Sequence, residues 1–342
     1  MSEEGRTQTT EALQDESVTP PRHKGSAGQR PAVQKLVTAI ARRMRNPIVL
    51  KELRGRMRGW RAMIILTVQL VVVSCFAVLV YLLVVEGTAA SGNATIGQTL
   101  GQALFYSTFM LLLLLVVFLS PAFTAGSISG ERERKTLDLL ITTLLPTRSL
   151  VLGKLFSALA YILLLILVAL PIQSLAMMFG GVVFPEMVIG TLILLVTALA
   201  AGSVGIFISS LMRSSIASTV LTFAVILLFT IGLPIVVSMF AGFGAVLLEQ
   251  IFEDLAFAWL ATLIYLGGFL LCTNPFAVAV TTILVQQTEN TYWFFDAQIP
   301  GQQGNLYTIP LVSPWIVYVL FYTALSAALV LASMLILRRK RG

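Results

Sequence analysis

Six apolar stretches alternate along this chain with shorter polar ones: Ala62–Val85, Leu100–Ile128, Leu155–Phe179, Met187–Leu211, Ile216–Phe240 and Leu311–Leu337. None of the six contains Asp, Glu, Lys, Arg or His. A helix needs about 20 mostly apolar residues, at about 1.5 Å rise each, to cross a bilayer. Hydrocarbon offers the backbone no partner, so each stretch must satisfy its own N–H and C=O groups as a helix. The pattern therefore predicts an all-α polytopic membrane protein with six transmembrane helices, occupying residues 62–337.

Residues 241–310 break the alternation. An apolar arm, Leu255–Thr273, meets Asn274-Pro275 and then a second arm, Phe276–Gln287. The second arm is shorter than a span, and runs of 10–14 residues are more often re-entrant or interfacial. The pair is expected to be a re-entrant hairpin on the extracytoplasmic side, turning at Asn274-Pro275 before the last span. Trp293, Phe294, Phe295, Tyr307, Trp315 and Tyr318 cluster around it, as an aromatic belt would.

The chain before the first span divides in two. Residues 1–30 are rich in Glu, Gln, Thr, Pro and Ser, too polar to bury a core, and are expected to be a disordered cytoplasmic tail with no secretory signal. Over residues 31–61, Val33, Leu36, Val37, Ile40 and Met44 recur at helical spacing. Arg42, Arg43, Arg45, Lys51, Arg54, Arg56 and Arg58 lie among and beyond them, with Asn46-Pro47 breaking the run. This predicts a basic amphipathic interfacial helix, interrupted at Asn46-Pro47, lying along the inner leaflet.

Charge orients the spans. The 23 Lys and Arg residues fall in 6–61, 132–154, Arg213 and the final Arg338–Arg341 run in 338–342, with none between Ser214 and Leu337. Cytoplasmic loops retain Lys and Arg. The pattern places both termini in the cytoplasm of a cell membrane, plasma or inner. A net charge of +7 invites a nucleic-acid reading, but the basic residues flank apolar runs and form no single face, so no nucleic-acid partner is expected. Anionic headgroups are the natural counterpart, at about 1 kcal/mol per Lys or Arg near the surface.

Little else in the composition suggests chemistry. At 57% hydrophobic and 11% charged, the chain falls well outside the roughly 25% charged of soluble domains. Cys75 and Cys272 lie within apolar runs and read as small hydrophobes; His23 stands alone. Asn93-Ala94-Thr95 matches a glycosylation sequon, a short pattern of little weight. No catalytic, cofactor or metal residues are identified.

The loop 129–154 carries the strongest local signal. It reads Gly130-Glu131-Arg132-Glu133-Arg134-Lys135-Thr136-Leu137-Asp138, then Leu139 to Pro146. After the charges, Leu137, Leu140, Ile141 and Leu144 share a helix face, and Pro146 ends it. An apolar face in a cytoplasmic loop needs a partner. The residues leave two readings open: the face folds back on the membrane or its own helices, or it docks on a second protein with Glu131, Arg132, Glu133 and Arg134 at the rim.

At these residues the chain resembles the permease subunits of ABC transporters of the ABC-2 type. The resemblance lies in Gly130–Arg134, Thr136–Leu140, the stop at Thr143–Pro146, Gly153-Lys154 opening the third span, and Asn46-Pro47 with Lys51-Glu52-Leu53-Arg54. Lys135 stands where the family often has glycine, and Leu145 separates the threonine from Pro146. The resemblance implies a half-transporter that pairs with a second permease subunit, in a homodimer or heterodimer. It further implies a separate cytoplasmic ABC ATPase engaging Glu131, Arg132, Glu133, Arg134, Thr136, Leu137, Asp138, Leu140, Ile141 and Leu144. The chain itself is expected not to be an enzyme, since no phosphate-binding Gly-x-x-x-x-Gly-Lys-Ser/Thr run occurs.

Rival classes fit less well. Ion-coupled transport needs ionisable groups in the membrane, and the predicted spans carry none. A channel would show a filter-like segment and gives no reason for the loop. A non-transporting membrane anchor or scaffold, or an uncoupled facilitator, remains the alternative to an ATP-driven permease, the latter most simply an exporter.

Overall fold

The computed structural model describes residues 60–89, 96–136, 147–236, 238–239, 265–289, 291–300 and 306–339, all within one compact unit, Asn46–Gly342. The helices are α1 (Trp60–Ala89), α2 (Ile96–Thr124), the short α3 (Ser129–Glu133), α4 (Thr147–Met178), α5 (Phe184–Leu211), α6 (Ser215–Leu227), α7 (Pro275–Glu289) and α8 (Pro314–Arg339). Strands β1 (Phe294–Pro300) and β2 (Leu306–Val312) lie between α7 and α8. Among the described residues, six helices are long and apolar enough to cross a membrane, corresponding to the six apolar stretches. The tail 1–30, the basic segment with Arg42 to Arg58, and Leu137 to Pro146 lie outside the described residues.

Helix α5 forms the centre. Its apolar middle is 67% buried, against 6% for that of α1 and 11% for that of α6, and it packs on α2, α4, α6, α7 and α8. Its small residues make this possible. A Cβ on Gly205 would meet Thr124 Oγ1 at 2.2 Å, and one on Gly202 would meet Ser120 Oγ at 3.2 Å. The α2 and α5 backbones thus approach closely, and Ser120 Oγ donates to the Ala198 carbonyl at 2.7 Å. Lipid gives helices no hydrophobic reason to associate, so close packing and such hydrogen bonds carry the contact. The small side chains of α5 are used within the chain. Helix α1 is apolar and exposed around most of its girth, and the buried Gln69 ties it to α4 by donating to the Leu165 carbonyl at 3.0 Å.

Two ends can be told apart. Leu337, near the end of α8, packs with Ile128, Leu150, Val151 and Ile206, which places Arg338 and Arg339 at the same end as α3. Trp315 and Tyr318, at the start of α8, pack with Ile189 near the start of α5, so the strands belong to the opposite end.

Helix α6 passes into a π turn, Leu228–Gly232. The arm Tyr265–Leu271 then meets α7 at a bend of 116°, with Asn274-Pro275 at the break, so the chain does turn where the helix-breaking pair predicts. Asn274 Oδ1 accepts from the Phe276 and Ala277 N–H groups and so caps α7. Its Nδ2 donates to the Phe229 and Thr230 carbonyls in the π turn. One side chain therefore fixes both the elbow and the irregular turn of α6.

The two-stranded ribbon is an element that the hydropathy pattern does not predict. Its antiparallel register runs from Phe294↔Val312 to Pro300↔Leu306. Leu311 and Val312, read from sequence as the start of the last span, belong to β2, and α8 begins at Pro314. Pro300 and Pro310 read locally as breakers. They are accommodated because a two-stranded ribbon has only edge strands.

Candidate functional site

The polar end of the bundle gathers three helix termini around the Glu131–Arg132–Glu133 run. Helix α2 ends at Thr124, turns through residues 125–128, and resumes as α3. The first N–H groups of α3 have no partner within that helix. Ser209 of α5 supplies one, its Oγ accepting from the Ile128 and Ser129 N–H groups at 3.0 and 2.9 Å. Ser218 of α6 donates to the Ala125 carbonyl, so α2, α5 and α6 meet through buried hydroxyls.

Arg132 lies at the end of α5. Its guanidinium donates to the Met212 and Ser210 carbonyls at 2.6 and 2.9 Å, where the last turn of α5 has run out of intrahelical donors. A cation there also complements the partial negative charge of the helix C-terminus. Glu133 does the converse for α6. Ser214 makes no side-chain cap, and Glu133 Oε2 instead accepts the Ser215 N–H at 3.2 Å, placing negative charge at that N-terminus.

Glu131 faces α4. Lys154 Nζ donates to Glu131 Oε1 at 2.7 Å and to the Ser127 carbonyl at 2.5 Å. The Lys154 side chain is 5% exposed and that of Glu131 26%. Helix α4 starts at Thr147, so Lys154 lies inside it, on the buried face shared with Val151 and Ala158. A buried ammonium is tolerable only when paired, and Glu131 supplies the pairing. Glu131 Oε2 is buried with no hydrogen-bond partner among the described residues.

The run ends in a Schellman turn. Thr136 N–H donates to the Glu131 carbonyl and Lys135 N–H to that of Arg132, both at 3.0 Å. Lys135 sits at the left-handed position with φ 58°, where glycine is usual. Thr136 Oγ1 also donates to the Glu131 carbonyl, at 3.1 Å.

Of the residues singled out in the sequence, Glu131, Arg132 and Glu133 thus come together, each bonded within the chain. Arg134, Lys135 and Thr136 are exposed beyond them. Leu137, Asp138, Leu140, Ile141 and Leu144 lie outside the described residues. Sequence reasoning missed Lys154, Ser209 and the α5–α6 joint as partners. The available signal was a lysine at an apolar position of a helix face, Val151–Lys154–Ala158. Among the described residues no group of three His, Cys, Asp or Glu could hold a metal ion.

The family described as ABC-2 family transporter protein matches residues 46–339, most of the chain. The chain belongs to that family. It is the membrane permease of an ABC transporter, a multi-pass protein whose relatives are the transmembrane components of such machines. Among curated proteins nothing matches the permease. The matched span contains every described helix of the permease, the α3 junction included.

Proposed function

We propose that the permease is an exporter energised by a separate cytoplasmic ABC ATPase, which grips the loop 129–154. It works as a pair with a second permease subunit in the plasma or inner membrane, both termini in the cytoplasm. The basic residues Arg42, Arg43, Arg45, Lys51, Arg54, Arg56 and Arg58 rest on the inner leaflet in this reading.

The supporting observation is the wiring of α3. Through Glu131 it holds α4, through Arg132 the end of α5, and through Glu133 the start of α6. A short helix bonded to three long ones is a lever: displacing it displaces all three. The exposed Arg134, Lys135 and Thr136 then lead into Leu137, Asp138, Leu140, Ile141 and Leu144, which form the contact with the ATPase. Motion passes inward through the Glu131–Arg132–Glu133 brace and shifts α4, α5 and α6 against the subunit mate. Export agrees with the family's prevailing direction.

The test separates contact from transmission. Leu140→Asp and Arg134→Glu should abolish co-purification of the nucleotide-hydrolysing subunit while leaving the thermal melt of the permease unchanged. Glu131→Gln should retain the subunit and its hydrolysis but lose transport. Normal pull-down and normal transport by Leu140→Asp sinks the docking role.

A further inference from the structure

A cavity of about 300 Å³ lies between the middle of α5, the π turn of α6, the elbow and α8. Its walls include Val117, Ala200, Ala201, Val204, Phe229 and Leu325. It exists because α5 presents Ala200 and Ala201 where its neighbours carry large side chains. No charged residue lines it.

Five lining residues carry hydroxyls, and every one is already engaged. Thr197 Oγ1 donates to the Ile193 carbonyl at 2.7 Å and takes the Tyr318 hydroxyl proton at 2.8 Å. Tyr322 donates to the Thr273 carbonyl. Thr230 donates to the Ile226 carbonyl at 2.8 Å, and Thr273 to that of Leu270 at 2.6 Å. A polar ligand, or water, would find no free hydroxyl donor, and the rest of the wall is apolar. Water occupies a cavity only where it has two or more polar partners. Hydrocarbon loses nothing there.

The cavity also opens in the right place. Phe229 at its edge is half exposed, while Thr197, Ala200 and Ala201 on its floor are buried. These floor residues lie near the midpoint of α5, the depth at which a spanning helix is surrounded by acyl chains. We propose that this cavity is a lipid site that takes one acyl chain of a bilayer phospholipid, inserted past Phe229 between α6 and α8. The chain lies against the π turn and the Asn274 elbow, so its occupancy sets the spacing of α6 from α8. The size falls at the lower end of ligand pockets, roughly 300–1,000 Å³, as one chain requires.

The test uses the full-length permease in phosphatidylcholine vesicles containing a phosphatidylcholine with a diazirine within one acyl chain, followed by irradiation and mapping of adducts. Adducts are expected on Ala200 and Ala201, which lipid around the outside cannot reach, as well as on the exposed Val78 and Leu79 of α1. Ala201→Phe should reduce the floor adducts about tenfold, equal to roughly 1.4 kcal/mol of binding, without changing those on α1. In the unmodified protein, floor adducts should keep a fixed ratio to those on α1 as the photolipid fraction rises, because labelled and unlabelled chains compete equally for the cavity. Absent floor adducts, or floor adducts that do not respond to Ala201→Phe, overturn the proposal. The readout is independent of ATPase docking and of transport.

Discussion

Lys154 of α4 donates to Glu131 of α3 across 2.7 Å, and the lysine side chain keeps only 5% of its surface exposed. Sequence places both residues in the loop 129–154; the structure sets Lys154 inside α4, so the pair joins α3 to that helix. Removing one partner leaves a buried charge, which costs about 3 kcal/mol, the lower end for buried pairs because Glu131 keeps some water. Lys154→Met should therefore lower the melting temperature of the purified permease. Lys154→Met with Glu131→Leu should restore most of it, because the desolvated charges go together. A double variant as unstable as the single one would show that the pair is not what the helix junction rests on.

Gly205 predicts a steric effect. A methyl group there meets Thr124 Oγ1 at 2.2 Å and the Ala125 nitrogen at 3.2 Å, so the α2 and α5 backbones must part. Gly205→Ala should destabilise by about 1–3 kcal/mol, the usual range for overpacking. Thr124→Ala should relieve part of the loss, measured by thermal unfolding in detergent. Gly87, whose added Cβ meets nothing within 4 Å, should tolerate the same change.

Lys135 predicts a gain. Its φ of 58° is one that glycine reaches freely and lysine does not. Lys135→Gly should stabilise the α3 turn by up to about 1 kcal/mol, while Lys135→Val should cost more than that. Hydrogen exchange of the Thr136 amide reports the change locally, since that N–H closes the turn on the Glu131 carbonyl. Faster exchange in the glycine variant would contradict the assignment.

Asn274 predicts a split between two substitutions. Asn274→Ala loses both the cap of α7 and the donors to Phe229 and Thr230, for about 2 kcal/mol. Asn274→Asp keeps an acceptor for Phe276 and Ala277 but sets a carboxylate against two carbonyls. It should leave α7 formed while releasing the π turn. Protease sensitivity near Leu228–Gly232, with α7 protected, distinguishes the two.

Topology is open to a direct experiment. With Cys75 and Cys272 replaced by alanine, a cysteine at Gln303 should react with an impermeant maleimide added outside intact cells. One at Arg134 should react only after permeabilisation. The reverse pattern would invert the orientation drawn from the Lys and Arg distribution.

The spans were legible without coordinates because crossing a bilayer is a local demand on length and apolarity, met or failed within some 20 residues. Asn274-Pro275 was legible for a similar reason, since a helix break is written in the residues that make it. The placement of Leu337 beside Ile128 and Val151 puts the basic end of α8 with α3, as the charge pattern alone suggests.

What the charges of 131–133 bond to was not legible. Glu131, Arg132 and Glu133 all read as rim residues of a docking contact until α4 brings Lys154 against the first and the α5–α6 joint arrives beneath the other two. The partners of Arg132 and Glu133 lie about 80 positions along the chain and that of Glu131 lies 23, and only packing decides which helix end meets which charge. The ribbon of Phe294–Pro300 with Leu306–Val312 is the same case, because pairing rewards a register that neither strand encodes alone. The length and apolarity of each stretch determined the six candidate spans; the meeting of buried polar groups, which must be satisfied by something, determined how the described helices are joined.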